Sequence, residues 1–521
     1  MPHLVRSALC LGVLAAWMAC EESVARAEGT QPSATLSAPE PAPFSGNPSV
    51  LPSLTVQHRL KDGEQHTLIW PGRFDDTPLG SVEELRHAHT ITLSGKGTTG
   101  PWLRRLAALT HPTRVVLTGT DHTDSALCEL RDLPVEQIAL FSTDVTQAGL
   151  AQLARLPRLR RLDIYGTAIS EATLALLVHI EELHLAQVTP SPSGGLSSLR
   201  ALKHLEVRRH WPVELFSEVA SLPLLETLEI EDDDFGGPEL GRLRGSPLVR
   251  LAISRSDIGD GDLAHLAALP RLRHLTLARE VMRKSRITDE GLRTIGRLTE
   301  LRTLIIRNAD NITDLAPLRG LHALEQLDLA FSMLSDTAAD TLVTMKALRR
   351  LDLWGTRLHD EGLAKLGTLS LLTELSIGYS GVSGVGVRQL ARLSNLEVLS
   401  LGVALGDDDL QSLGAYPKLR HLTLVRAQIT KVDRLVQIAP QLQTLHLDGR
   451  SMTNTGLRGL GRLQSLRELY LDCPLVSDDS VPTLLRLTHL ESLNVVPTHI
   501  SERGGKKLRK AFPRTDLYCP G

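Results

Sequence analysis

The stretch Leu348-Arg-Arg-Leu351-Asp-Leu353-Trp-Gly-Thr356-Arg-Leu358-His-Asp-Glu-Gly-Leu363-Ala-Lys-Leu366-Gly-Thr-Leu369 carries two hydrophobic periods in succession. Leu351 and Leu353 alternate with Asp352 and Trp354, as on a strand with one buried face. Leu363, Leu366 and Leu369 then recur at every third residue, which makes one apolar stripe on a helix. Strand and helix bury their leucines against each other, but one such unit has too little core to fold alone. Its frame, LxxLxLxxTxL followed by a helical turn or two, recurs along the chain. The last apolar residue of each LxL step is Leu93, Leu117, Leu140, Ile164, Leu185, Val207, Ile230, Ile253, Leu277, Ile306, Leu329, Leu353, Ile377, Leu401, Leu424, Leu447, Leu471 and Val495. These are 18 units with a mean spacing near 24 residues, so the expected structure is one stacked array with a strand ending near each of these positions.

Over residues 85–502 this frame resembles the leucine-rich repeat family. The phrases ITDEGL at Ile287 to Leu292 and LHDEGL at Leu358 to Leu363 are similar to its ribonuclease inhibitor-like and F-box-associated branch. The unit from Asn311 to Leu318 looks like the shorter internalin type, in which a tight turn replaces the helix. The resemblance implies an α/β right-handed solenoid, with a parallel sheet on the concave face and short helices on the convex face. It also implies binding of another macromolecule through that sheet. No F-box-like segment precedes the array, so the ubiquitin-adaptor role of part of the family loses its main support. Where many of these repeats have an asparagine that bonds the neighbouring turn, this chain has Thr120, Thr143, Thr167, Ser256, Ser332, Thr356, Ser380 or Thr498, whose hydroxyls are expected to do the same more weakly.

Of the 521 residues 42% are hydrophobic, 3% are aromatic and about 100 are leucine, a skew that fits a repeat better than a set of ordinary domains. With 57 Lys+Arg against 60 Asp+Glu the net charge is -3, which argues against a nucleic-acid partner and against a disordered acidic chain. Residues 1–27 have the layout of a signal peptide: Arg6, an uncharged apolar run from Ser7 to Ala19, then Glu21 and Glu22. Two cleavage readings stay open, a lipidated Cys20 or a cut after Ala27. Residues 28–53, rich in Pro, Ser and Ala, read as a disordered spacer. Residues 54–84 read as an N-terminal cap with a hairpin turn at Lys61-Asp62-Gly63, and 503–521 as the C-terminal cap. The expected localisation is a cell-envelope lipoprotein, or a periplasmic or secreted protein if the cut follows Ala27, with the membrane touched only through the lipid anchor. Cys473 and Cys519 are expected about two strands, near 10 Å, apart and therefore reduced.

No HExxH pair, nucleophile elbow or phosphate-cradling glycine loop is present, so the sequence offers no catalytic residue, metal site or cofactor. His204, His274 and His421 share one slot before the strand leucine and read as scaffold. Asp407 to Asp409, Asp478-Asp479, and Asp257 with Asp260 and Asp262 read as helix caps. Glu231 reads as a cross-strand partner of the basic pair Arg208 and Arg209. Val281 to Ser285 is an insertion at the rim, where Arg283 and Lys284 could meet an acidic partner. Outward strand positions are enriched in aromatics: Phe141, Tyr165, Phe331, Trp354, Tyr379 and Tyr470. Phe331, Trp354 and Tyr379, flanked by Arg307, Asp328 and Asp352, make the expected binding patch, in which Trp354 would be removable at little cost in folding; the alternative is that the rings only pack on each other across the sheet and shield its backbone. The expected function is a non-enzymatic scaffold that binds another protein. A glycan-binding or purely structural surface protein is the alternative.

Overall fold

The computed structural model describes the strands Thr55–Arg59, Gln65–Pro71 and Ala88–Ser94, residues 114–119, and residues 122–519 apart from 129, 132, 189–193, 210, 279–284 and 514. Cys20, Thr120, Arg283, Lys284, the spacer and the Lys61–Gly63 turn lie outside them. Residues Leu54–Gly521 cluster as one unit. The strand leucines stack in register: Leu117 stands beside Leu140, Leu140 beside Ile164, Ile377 beside Leu401, and Leu447 beside Leu471, all in parallel pairs. Of the 18 apolar positions, Leu329, Leu353 and Val495 follow the last residue of a strand of this sheet, and the others lie inside a strand, one to three residues before its end. Behind the sheet run short helices such as Asp289–Ile295 and Asp360–Leu366, whose Leu292, Leu363 and Leu366 are fully buried against the strand leucines. At Ala316–Leu318 the helix shrinks to a single tight turn. A strand occupies about 4.8 Å along the stack and a helix about 10 Å, so the sheet lies on the inner side of the curve.

The ends continue this pattern. Thr55–Arg59 pairs antiparallel with Gln65–Pro71, which runs parallel to Ala88–Ser94. At the other end the helix Glu502–Ala511 leads into Asp516–Tyr518, a further parallel strand with Leu517 beside Leu493. The C-terminal segment is therefore one more turn of the stack. Cys128, Cys473 and Cys519 are free thiols, and burial pushes Cys473 up to about 12.

The aspartates differ from the expectation that all of them cap their own helices. Asp262 and Asp409 do so, accepting from the backbone N–H of Gly259 and Gly406 at 2.9 Å each. Asp260, Asp407 and Asp478 instead reach into the following repeat. Asp260 accepts from the backbone N–H of Thr288 at 2.8 Å and from its hydroxyl at 2.6 Å, and Asp478 does the same to Ser501 at 2.8 and 2.6 Å. Asp124 to Thr146 and Asp360 to Ser383 repeat this two-pronged clasp, and Asp336 takes the N–H of His359 at 2.7 Å. The receiving Thr or Ser then caps its own helix, as Thr288 does for Glu290 at 3.1 Å.

Three residues beyond Thr146, Thr288, His359, Ser383 and Ser501 stands a glycine, and it is there for room. A Cβ on Gly362 would lie 2.5 Å from Asp336 Oδ1, and one on Gly386 would lie 2.3 Å from Asp360 Oδ1. The phrase ITDEGL thus contains a cap, a carboxylate for the next repeat and a space for the previous one. Burial alone would raise Asp289 and Asp407, but the hydrogen bonds from Thr313 and Thr430 hold both below the usual carboxylate range.

The hydroxyls after the strand also differ from expectation. Ser332, Thr356 and Thr498 donate to the carbonyl three residues back in their own repeat, at 2.7, 2.8 and 2.7 Å. Thr143 and Thr167 do reach across, hydroxyl to hydroxyl at 3.4 Å and from the Thr167 hydroxyl to the Thr143 carbonyl at 3.3 Å. At Ser332, Thr356 and Thr498 the local back-bond wins.

Candidate functional site

The outward side of the sheet holds two distinct centres. The first is aromatic. Trp354 follows the strand Arg350–Asp352, and its indole lies flat across the next two repeats. Those repeats carry Gly378 and Gly402 in register, and a Cβ on either would come within 2.7 Å of the indole. The two glycines form a trough, and Trp354 fills it to 7% exposure together with Ala330 and Val425. Phe331 and Tyr379 are half-buried against this cluster. The Tyr379 ring is 5.6 Å from the indole, with the Arg426 guanidinium 5.5 Å above its other side.

Phe331, Tyr379 and Arg426 have φ of +59°, +48° and +60°, in a turn slot that recurs along the array and is filled by glycine at Gly119, Gly166 and Gly355 and by other side chains at Ser142, Gln187, Arg209, Arg255 and Asn308. A side chain there clashes with its own carbonyl and costs about 1–2 kcal/mol, so a bulky ring in it is strained. Beside the rings Arg307 donates to Asp328 at 2.7 Å, and Asp328 stands in register with Asp352. Burial raises the Asp352 carboxyl, the Asp328 carboxylate beside it raises it further, and the Trp354 N–H and Arg307 oppose both.

The structure therefore brings together Arg307, Asp328, Phe331, Asp352, Trp354 and Tyr379. Trp354 has the packing role that the alternative reading of these rings describes. Phe141 and Tyr165 form a separate stacked pair, ring centroids 4.5 Å apart, on strands Gln137–Phe141 and Arg161–Tyr165. Seven strand steps separate them from Phe331, on the order of 30 Å. Tyr470 packs on His446 at 5.8 Å.

The second centre is polar and escaped the sequence reading. Register sets Asp163, His184, Glu206 and Glu229 in one row across four strands, and Arg161, Glu182 and His204 in the next row. Arg161 bridges Asp163 and Glu182 at 3.1 Å each. Arg208 holds Glu206 at 2.6 Å and Glu231 at 3.3 Å, the cross-strand pairing expected for Glu231. These partners lie some twenty residues apart in sequence, so no linear motif links them. The available signal was the repeat frame, which puts the residue beside each strand leucine into one row.

No family model and no curated protein sequence matches this chain. Solved structures do. An internalin (inlF) from Listeria monocytogenes is similar over 64% of this chain and 86% of its own, at 21% identity and a TM-score of 0.40. A leucine-rich repeat protein of Leptospira interrogans covers 79% of this chain and 91% of its own, at 16% identity and 0.42. The receptor in a TLR13–ssRNA13 complex covers 81% and 72%, at 17% identity and 0.49.

Proposed function

We propose that this chain, a leucine-rich repeat solenoid by its own repeat and register, is a non-enzymatic scaffold that binds another protein through the outward side of its sheet. The observation that carries this reading is the cluster itself: Phe331 and Tyr379 stand half-buried on the sheet face around Trp354, with the exposed Arg426 guanidinium 5.5 Å from the Tyr379 ring and the Arg307–Asp328 pair beside them. Partly open aromatics flanked by charged groups are what an interface hot spot uses.

Phe331→Gly and Tyr379→Gly separate binding from folding. Each is expected to leave the melting temperature unchanged or slightly raised, because the left-handed turn is relieved. Each should also weaken capture of the partner that the wild-type chain draws from an envelope extract by about 30-fold, roughly 2 kcal/mol. Glu361→Ala, on the helix side, serves as the control. Equal capture by all three variants and the wild type would place the binding surface elsewhere.

The chain is further proposed to be exported and tethered at the envelope through a lipidated Cys20, or released by a cut after Ala27. No helix among the described residues is long and apolar enough to cross a membrane. Cys20→Ser should move the protein from the membrane fraction to the soluble one. A mature N-terminus at Glu28, or unchanged fractionation, speaks for the other cut.

A further inference from the structure

Glu182, His184 and His204 each offer a ligand atom within 4.8 Å of the others. Glu182 and His184 are alternate residues of the strand Glu182–Ala186, and His204 opens the next strand directly opposite Glu182. We propose that these three side chains bind one divalent transition-metal ion on the sheet face, with two imidazole nitrogens and a carboxylate oxygen as donors and zinc as the ion that suits them.

Two ring nitrogens carry the argument. Nε2 of His184 and Nε2 of His204 are both shielded from solvent and without a hydrogen-bond partner. His184 is only 7% exposed, and a buried imidazole nitrogen with nothing to bond destabilises the fold unless a ligand takes it up. The other edge of the His184 ring is occupied: Nδ1 lies 3.1 Å from Glu206 Oε2, 3.3 Å from Asp163 Oδ1 and 3.3 Å from Arg161 Nη2. In the tautomer that donates from Nδ1 to these carboxylates the Nε2 lone pair is left for a ligand, the arrangement that backs a metal-binding histidine.

The neighbours favour a cation. Asp163, Glu182, Glu206 and Glu229 face this cluster, and Arg161, Arg208 and, at 3.9 Å from Asp163, Arg114 balance only part of their charge. Arg161 Nη1 sits on Oε2 of Glu182 at 3.1 Å, so Oε1 is the oxygen left to ligate. The same slot elsewhere behaves differently. His274 and His421 pair through Nδ1 with Thr303 and Thr444 on the following strand, at 2.9 and 3.0 Å, while His204 has Glu229 Oε1 at 3.6 Å from Nε2. His204 is therefore set apart from the scaffold histidines with which its sequence position groups it.

The test uses the full chain without a histidine tag. Equilibrium dialysis against Zn²⁺ should retain one ion per chain, and Co²⁺ in its place should give the visible ligand-field bands of a mixed nitrogen and oxygen site. H184Q, H204Q and E182Q should each abolish both signals, D163N should weaken Zn²⁺ binding by about 10-fold or more through His184, and H421Q should leave it intact. The His204 side chain is about a quarter exposed, so H204Q should keep the wild-type circular dichroism and melt even if H184Q does not. No ion retained by the wild type, or retention and Co²⁺ bands that survive in folded H204Q, would overturn the proposal and leave His184 as a plain member of the ion-pair network.

Discussion

Gly362→Val should cost about 3 kcal/mol of stability and split the array at one seam. A Cβ at this position would sit 2.5 Å from Asp336 Oδ1, 2.6 Å from Leu358 Cδ1 and 3.0 Å from Asp336 Cα. The carboxylate can swing aside, but the Cα belongs to the backbone of the preceding repeat and cannot. Relief requires the two repeats to part, which also breaks the 2.7 Å bond from the His359 N–H to Asp336. In a stack where each unit touches only its neighbours, damage at one seam lowers cooperativity along the whole chain. Urea unfolding followed by circular dichroism should therefore change from one transition to two, with a lower first midpoint. A single transition at the wild-type midpoint would show that the clasp does not bear on stacking. Gly362→Ala combined with Asp336→Ala should be less harmful than the two single changes added together, because each removes the other's clash or partner.

Trp354→Ala should cost about 3 kcal/mol in folding, although the residue lies outside the main core. The indole closes the trough over Gly378 and Gly402 and is 7% exposed. Neither glycine has a side chain to move into the space, so the cavity stays open or fills with water. Tyr379 also loses the ring it packs against at 5.6 Å. Denaturant titration gives the value, and a loss below about 0.5 kcal/mol, the range of an ordinary surface substitution, would contradict the buried position of the ring. The contrast with Phe331→Gly and Tyr379→Gly is the informative part. In one cluster the central ring is expected to hold the fold, and the two outer rings to serve the proposed binding.

The strands and their register were legible in sequence because one rule, alternate leucines at a fixed period, governs both. Leu351 and Leu353 could not be placed otherwise. The helix-side leucines followed from the same frame. What could not be read was which partner each polar group takes. Asp260 and Asp262 are two residues apart, yet one serves the next repeat and the other its own turn. That choice depends on side-chain direction, which a helical turn sets and a repeat period does not. The role of Trp354 turned on two glycines 24 and 48 residues further on, which in a linear reading look like ordinary turn residues. Glu182 and His204 meet only because the strands align, and His204 was grouped with His274 and His421 by position alone.

The clasp between repeats is also a joint with a plug on one side and a socket on the other. A unit with the full clasp, such as Asp360 to Gly386, presents a carboxylate forward to a hydroxyl and a gap in the next. Removing residues 359–382 would bring Asp336 to Ser383 across the same 23-residue span that Asp360 bridges to Ser383 now, with Gly386 as the gap. Between such seams a whole unit can thus be gained or lost by gene duplication or deletion with the joint still matched. The array can change its reach there in steps of one repeat, while a change of any other length leaves a plug facing no socket.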